Sequence, residues 1–237
     1  MTYEVKIVDL SHDIAPQDVF EGALVLWRNA HYFPPGTVHI GVVDPGVGTK
    51  RRVIGGQLGE QYFVGPDNGL FSLVQVRAME SDWRVEWFEL DKPQYWLPKI
   101  THIFHGRDVF SPAGAHLASG VPLREMGVPI NDPVRLEFPS AQQTDYGWRA
   151  PIIHCDHFGN LAVNLRRENF DEWHNVIIKA GDSTINGLVD TFGQRKVGEL
   201  AALFDSSGML SIAIVNGNAS EQLGMGQGDW IDIQFDV

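Results

Sequence analysis

Apolar and polar positions repeat with two different periods along the chain, and the period changes partway. Near the start, Val19, Phe20, Ala23, Leu24, Leu26 and Trp27 recur at helical spacing. A helix is therefore expected from Pro16 to about Ala30, with Pro16 at its first position, where a missing N–H costs nothing. Val5–Leu10 reads as a short buried strand. Thr37–Val43 is a β-rich run that feeds the turn Asp44-Pro45-Gly46-Val47-Gly48. Arg52–Gln57 and Gln61–Val64 predict two further strands. Asp67-Asn68-Gly69 predicts the cap of a helix running to about Met79, and Pro112–Gly120 predicts another helix. Strands alternating with helices point to an α/β half.

From about Tyr146 the helical period disappears. Ile152–Leu165, Asn175–Ala180, Met209–Asn216 and Trp230–Val237 are β-rich. In the last, Ile231, Ile233, Phe235 and Val237 alternate with Asp232, Gln234 and Asp236, the period of a half-buried strand. The polar stretch Asn131–Thr144, with Pro133 and Pro139, marks the boundary. The expected organisation is an α/β domain over 1–135, a linker over 136–144 and an all-β domain over 145–237.

Composition narrows the function classes. Hydrophobic residues are 43% and charged residues 20% of the 237, an ordinary globular balance. With 18 basic and 30 acidic residues the net charge is −12, which repels phosphate backbones and argues against nucleic-acid binding. No apolar run reaches the roughly 18–20 residues of a membrane span. The N-terminus has no basic segment followed by an apolar core, so no signal peptide is expected. The single cysteine, Cys155, excludes an intramolecular disulfide and a zinc site built on several thiolates. A soluble, reduced, cytoplasmic protein is expected.

Four segments bear chemistry. In Val43–Arg52, a carboxylate at a strand end is followed seven residues later by Arg51; the pair is either a device that orients water or a surface salt bridge on a turn. In Phe104-His105-Gly106-Arg107-Asp108, His105 can exchange protons near neutrality, or is simply satisfied by a neighbouring carboxylate. Asp156-His157-Phe158-Gly159-Asn160 offers an anion, an aromatic face and an amide, suited to an amine, a flat heterocycle and its polar edge; it also reads as a strand with a glycine bulge. Ser206–Ala219 places a hydroxyl-rich turn, a strand and a Gly/Asn loop in succession. The pairs His102/His105 and His154/His157 raise a metal hydrolase as a third reading. Both lie in strand-like or loop contexts, where residues three apart face opposite ways, so no metal site is expected.

Taken in order, these segments resemble the S-adenosyl-L-methionine (SAM) hydroxide adenosyltransferase family, relatives of the fluorinase and chlorinase. The resemblance rests on Val8–Val19, Asp44–Arg52, Phe63–Leu70, Phe104–Asp108 with Pro112 and Ala115-His116-Leu117, Asp156–Asn164 and Ser206–Ala219. It implies a doubly wound, Rossmann-like α/β domain, a barrel-like β domain, and a homotrimer with each active site between neighbouring subunits. The implied reaction is SAM plus water to adenosine and methionine, with no metal or second cofactor. The family's water-activating Asp–Arg–His set matches Asp44, Arg51 and His105. Asp156 would hold the methionine amine, Phe104 and Phe158 would line the substrate, and Asn160 would meet the adenine edge. Ser206, Ser207, Asn218 and Ala219 would line the methionine and adenine ends. Halogenases of the group carry a Tyr in place of the Asp and a Ser-containing segment in place of His-Gly-Arg-Asp, so hydroxide is the expected nucleophile.

The strand ending in Thr-Asp-Phe-Gly with which the family opens, and the helix after it, have no counterpart here, so the N-terminal domain is expected to be short at its start. That segment bears the aspartate that clamps the ribose diol; Asp9, Asp13 and Asp18 do not occupy its position. The alternative expectation is therefore a non-catalytic protein that binds adenosine or SAM without turnover. The seven tryptophans, Trp27, Trp83, Trp87, Trp96, Trp148, Trp173 and Trp230, are expected mostly in the core or at subunit contacts.

Overall fold

A computed structural model describes residues 5–170 and 174–236. Trp173 and Val237 lie outside the described residues. The chain divides into two compact units, with the split between Glu137 and Phe138.

The first unit carries α1 (Val19–Asn29), β1 (Val38–Ile40), β2 (Val53–Leu58), β3 (Gln61–Pro66), α2 (Ser72–Glu80), β4 (Val85–Glu89), a π-helical turn at Gly106–Phe110, α3 (Ser111–Ala118), α4 (Leu123–Met126) and β5 (Val128–Ile130). The strand order is β1-β3-β2-β4-β5. Only β1 and β3 run parallel, with His39 opposite Phe63; the other three pairings are antiparallel. The sheet is thus mixed rather than the mostly parallel one a Rossmann-like reading predicts. Successive β3 residues feed opposite faces. Phe63 is 2% exposed and joins His39, Phe71 and Trp87, under α1 and α2. Val64 is 0% exposed and meets Val109, Phe110, Ala113 and Leu117 from the π turn and α3. Helices therefore cover both faces, as burial of both sides of β3 requires.

Several local expectations are corrected. The helix begins at Val19, not Pro16. Gln17 takes a left-handed φ of +69°, and Asp18 caps the helix by accepting from the Glu21 N–H at 2.8 Å. Glu21 in turn accepts from the Ala15 N–H at 2.7 Å, so a polar exchange, not a proline, starts the helix. Helix α2 begins at Ser72, because Asp67 and Asn68 bond elsewhere, as described below. Val5–Leu10 forms no strand: Val5, Ile7 and Val8 are more than half exposed, and the segment has no paired strand among the described residues. β propensity alone does not hold a strand without a ladder partner. Trp27 and Trp87 are buried, whereas Trp83 is 45% exposed.

The second unit carries β6 (Gln142–Thr144), β7 (Gly147–Cys155), β8 (Leu161–Arg166), β9 (His174–Ala180), β10 (Ser183–Asn186), β11 (Leu200–Phe204), β12 (Met209–Ile214), α5 (Ala219–Leu223) and β13 (Trp230–Asp236). Its antiparallel sheet runs β10-β9-β13-β7-β8-β12-β11, and the end strands β10 and β11 touch, giving a nearly closed barrel. Ile152, Leu161, Val163, Ile178, Leu210, Ile212, Ile231 and Ile233 fill its interior and are almost wholly buried. Each contributes roughly 1.5–3 kcal/mol of burial. The alternation in β13 holds: Ile231 and Ile233 face inward, and Asp232 faces solvent.

His39 supplies a test of the first unit. Its ring is 5% exposed, stacks on Phe63 at 4.8 Å, and its Nε2 has no hydrogen-bond partner among the described residues. Burial pushes its pKa below the ordinary 6.5, opposed by a hydrogen bond with Gln61. The unfolded chain therefore binds the proton first, so the stabilising contribution is complete above pH 6.5 and is lost as pH falls below it. Urea unfolding of the wild type should weaken between about pH 7.5 and 5.5, and His39→Phe should shrink that drop. An equal drop in the variant would refute the assignment.

Candidate active site

The turn Asp44–Arg51 leaves β1 and folds back on itself. The Val47 N–H donates to the Asp44 carbonyl at 3.2 Å, and the Thr49 N–H and hydroxyl donate to the Gly46 carbonyl at 3.1 and 2.7 Å. This brings the Arg51 side chain over Asp44. The Arg51 Nε donates to Asp44 Oδ1 and Oδ2 at 2.9 and 3.0 Å, and Nη2 makes a further short contact with Oδ2. The two side chains are only 10% and 5% exposed, so this is a buried ion pair. Below it the Arg51 guanidinium lies over the Phe110 ring, 5.0 Å from its centroid, a cation–π floor.

His105 completes the group. The Arg51 Nη2 lies 2.9 Å from its Nδ1. A guanidinium only donates, so Nδ1 accepts and the ring proton sits on Nε2. Burial, and then the Arg51 charge, push the His105 pKa below 6.5; Asp44 and Asp108 pull the other way. The imidazole is therefore neutral at pH 7, with an Nε2–H to give.

The next turn of sequence anchors both partners. The Asn68 Nδ2 donates to the Val43 carbonyl at 2.7 Å, directly before Asp44. The Arg52 Nε donates to Asp67 Oδ2 at 2.7 Å, directly after Arg51, and its Nη1 and Nη2 donate to the Asp132 carboxylate and carbonyl at 2.8 Å. Gly48 sets the remaining spacing. Its φ is +76°, and a Cβ there would lie 2.4 Å from the His102 carbonyl oxygen, so the two loops touch backbone to backbone.

Phe104 is 55% exposed, with the Arg107 guanidinium over its ring at 4.9 Å. Asp44, Arg51 and His105 thus converge, and Phe104 stands next to His105 in the chain. In the second unit, Asp156 closes the β7–β8 turn: Oδ1 accepts from the Phe158 and Asn160 N–H groups, and Oδ2 from the Asn160 Nδ2, each at 2.9 Å. Phe158 projects outward, 72% exposed. Asn218 caps α5, accepting from the Glu221 N–H at 3.0 Å, and packs on Gly159, where a Cβ would lie 1.9 Å from its Oδ1. Ala219 is fully buried beside it. These residues form a second cluster. Ser206 and Ser207 do not join it within this unit. They lie at the start of β12, and Asn218 follows its end, a strand of six residues or about 20 Å away. The Ser207 hydroxyl donates to Asp205 at 2.6 Å.

Sequence reasoning quoted Gly48, Asn68 and Asp108 in its motifs without a site role and overlooked Phe110. The first two had a signal, a Gly/Pro turn and an Asx turn; the burial of Phe110 under Arg51 had none. Among the described residues no group of three or more His, Cys, Asp and Glu is placed to hold a metal. No helix among them is long and apolar enough to cross a membrane.

Comparison with known proteins places one family match in each unit. Residues 1–127 match the SAM hydroxide adenosyltransferase N-terminal domain, and residues 150–232 match the corresponding C-terminal domain. An (R)-S-adenosyl-L-methionine hydrolase of Salinispora tropica is 35% identical, over 97% of this chain and 86% of its own length. A fluorinase of Actinoplanes sp. is 28% identical, over 88% of this chain and 80% of its own length. The crystal structure of an uncharacterized conserved protein from Thermotoga maritima superposes with a TM-score of 0.87 and 32% identity, covering 98% of this chain and 89% of that one.

The Gly48 contact is directly testable. Gly48→Ala should strain the turn and separate it from the His102 carbonyl, lowering stability in urea by about 1–3 kcal/mol. Unchanged unfolding would show that the loops tolerate separation.

Proposed function

The chain belongs to the SAM hydroxide adenosyltransferase family, and we propose on that footing that it hydrolyses SAM to adenosine and L-methionine. The observation that carries the reading is the buried Asp44–Arg51 pair with neutral His105 bonded to it.

The reaction needs a water aligned with the ribose C5′–S bond. Its oxygen attacks C5′, the C5′–S bond breaks, and the electron pair passes to sulfur. The sulfonium leaves as the neutral thioether of methionine, so no acid is required at the leaving group. The attacking oxygen must shed one proton to become the adenosine 5′-hydroxyl. His105 is not placed to take it, because its only lone pair already accepts from Arg51. Its Nε2–H is suited to hold the water by donating to it. Asp44 keeps lone pairs beyond those facing Arg51 and is the proton acceptor in this reading. Arg51 orients the carboxylate through its donated hydrogen bonds.

The remaining assignments follow the family resemblance. Asp156 meets the methionine amine, Asn160 the adenine edge, and Phe104 and Phe158 pack on the substrate. Ser206, Ser207, Asn218 and Ala219 line its ends. The assembly is a homotrimer with sites between subunits, acting in the cytoplasm without metal or second cofactor.

Purified protein incubated with SAM should release adenosine and methionine in equal amounts, and Asp44→Ala should reduce kcat by about a hundredfold or more. Turnover should fall on the acid side at a pH below 6.5, where His105 protonates and must leave Arg51. Adenosine binding without turnover in the wild type would favour a nucleoside-binding protein instead.

A further inference from the structure

The loop that carries His105 is held by a group outside the Asp–Arg–His set. Asp108 is wholly buried, yet bears a carboxylate. Its Oδ2 accepts from the Thr101 N–H at 2.8 Å and from the Thr101 hydroxyl at 2.7 Å. Its Oδ1 accepts from the Arg107 Nε at 2.6 Å. Its backbone N–H donates to the Phe104 carbonyl at 3.1 Å, and its carbonyl accepts from the Leu97 N–H at 2.9 Å. One residue thus ties Leu97, Thr101, Phe104 and Arg107 together, and His105 sits inside that span.

The location matters as much as the bonds. Asp108 lies in the π-helical turn Gly106–Phe110, capped by His105 and ending in the ring under Arg51. A π turn spaces its residues differently from an α turn, and such turns recur at functional sites. Here one turn presents His105 to Arg51 Nη2 and Phe110 to the guanidinium face, while Asp108 points inward as its fastening. We propose that Asp108, with Thr101, is a positioning residue of the site: it locks loop 101–105 and thereby sets the His105 ring against Arg51.

The electrostatics agree with the geometry. Bonds from Arg107 and Thr101 hold the Asp108 carboxyl well below the usual carboxylate range, so it stays an anion. The charged and titratable groups acting on His105 are Arg51, Asp44, Asp108 and His102, and Asp108 raises its pKa. Neutralising Asp108 should therefore lower the His105 titration midpoint as well as loosen the loop.

The turnover arm of the test rests on the proposed SAM hydrolysis; a second arm does not. Asp108→Asn, Thr101→Val and Thr101→Ser would be made in the full chain. Each would be followed by SAM turnover and by NMR titration of the His105 ring nitrogens. Asp108→Asn should lower kcat by about tenfold or more with KM within about threefold, since a small misplacement costs rate rather than binding. It should also lower the His105 midpoint and weaken the Nε2–H tautomer preference. Thr101→Val should follow in the same direction, and Thr101→Ser, which restores the hydroxyl, should recover most of the loss. Should Asp108→Asn fail to fold, the two Thr101 variants decide. Lost turnover with an unchanged His105 tautomer and midpoint would assign Asp108 to stability alone and overturn the proposal. So would kcat within about twofold of wild type in both Asp108→Asn and Thr101→Val. If wild-type protein releases no adenosine, SAM hydrolysis fails as a reading, and the ring titration still decides the role of Asp108.

Discussion

A buried guanidinium paired with a buried carboxylate constrains nearly everything around the candidate site. Removing Arg51 and Asp44 from water costs several kcal/mol per ion unless geometry and hydrogen bonding recover it. With side-chain exposures of 10% and 5%, the pair has little solvent to fall back on. Each donor of Arg51 therefore needs a fixed acceptor, and its flat face needs a fixed cover. Asp44 takes one side of the fork, His105 Nδ1 takes part of the other, and Phe110 lies beneath. The tautomer of His105 follows from that arrangement. The ring is neutral with a proton on Nε2 because Arg51 has nothing but donors to offer.

Such a pair holds only on backbones that cannot drift. The turn after β3 serves as the common anchor, with Asn68 gripping the carbonyl before Asp44 and Asp67 gripping the arginine after Arg51. The neighbours Arg51 and Arg52 thus divide their work, one bonded to Asp44 and His105 and the other to Asp67 and Asp132. Asp67 has its other oxygen filled by the Val134 N–H at 2.7 Å, so the anchor reaches the segment that follows β5. The second unit applies the same economy at its own loops. Asp156 closes a turn with three bonds, and Gly159 leaves room for Asn218, which caps α5. In both units a rigid sheet carries loops whose conformation is fixed by a carboxylate or amide and by one close glycine contact.

Legibility in the sequence varied with the range of the interaction. The alternation in β13 and the helical stripe of α1 are local patterns, and each corresponds to an observed element, whereas the β-rich stretch Ile152–Leu165 is broken by a turn into the antiparallel pair β7 and β8. What failed was non-local or stereochemical. Val5–Leu10 has strand composition but no partner, and composition does not report partners. Pro16 looked like a helix start, whereas Asp18 and Glu21 make the cap between them. The two-residue turn between β2 and β3 is too short for a crossover, but the antiparallel pairings of β4 with β2 and with β5 are non-local, and no apolar period reports them. At the site, Asp44, Arg51 and His105 were legible as a set only through the ordered motifs of the family resemblance, since their spacing alone left a surface salt bridge and a satisfied histidine open. The exposures of Asp44 and Arg51 were not, since a surface salt bridge and a buried pair share one sequence. Nor was the π turn at Gly106–Phe110.

The chemistry explains why such a neutral assembly suits a cationic substrate. SAM carries its own leaving group as a sulfonium, and cleavage discharges that positive charge. A site with a free cation would oppose substrate entry, and one with an unpaired buried anion would stabilise the ground state as much as the reaction's charge shift. The Asp44–Arg51 pair sums to zero, and neutral His105 adds none. In the proposed reaction what remains is direction: a carboxylate lone pair and an imidazole N–H, both held by Arg51, would orient one water. Precision of orientation is then the main resource for rate in the proposed reaction, because the leaving group departs as a neutral thioether and needs no charge to draw it away. That requirement accounts for so much anchoring around three side chains. An acid–base pair with adjustable protonation would tolerate looser walls; a fixed donor and a fixed acceptor for one water do not.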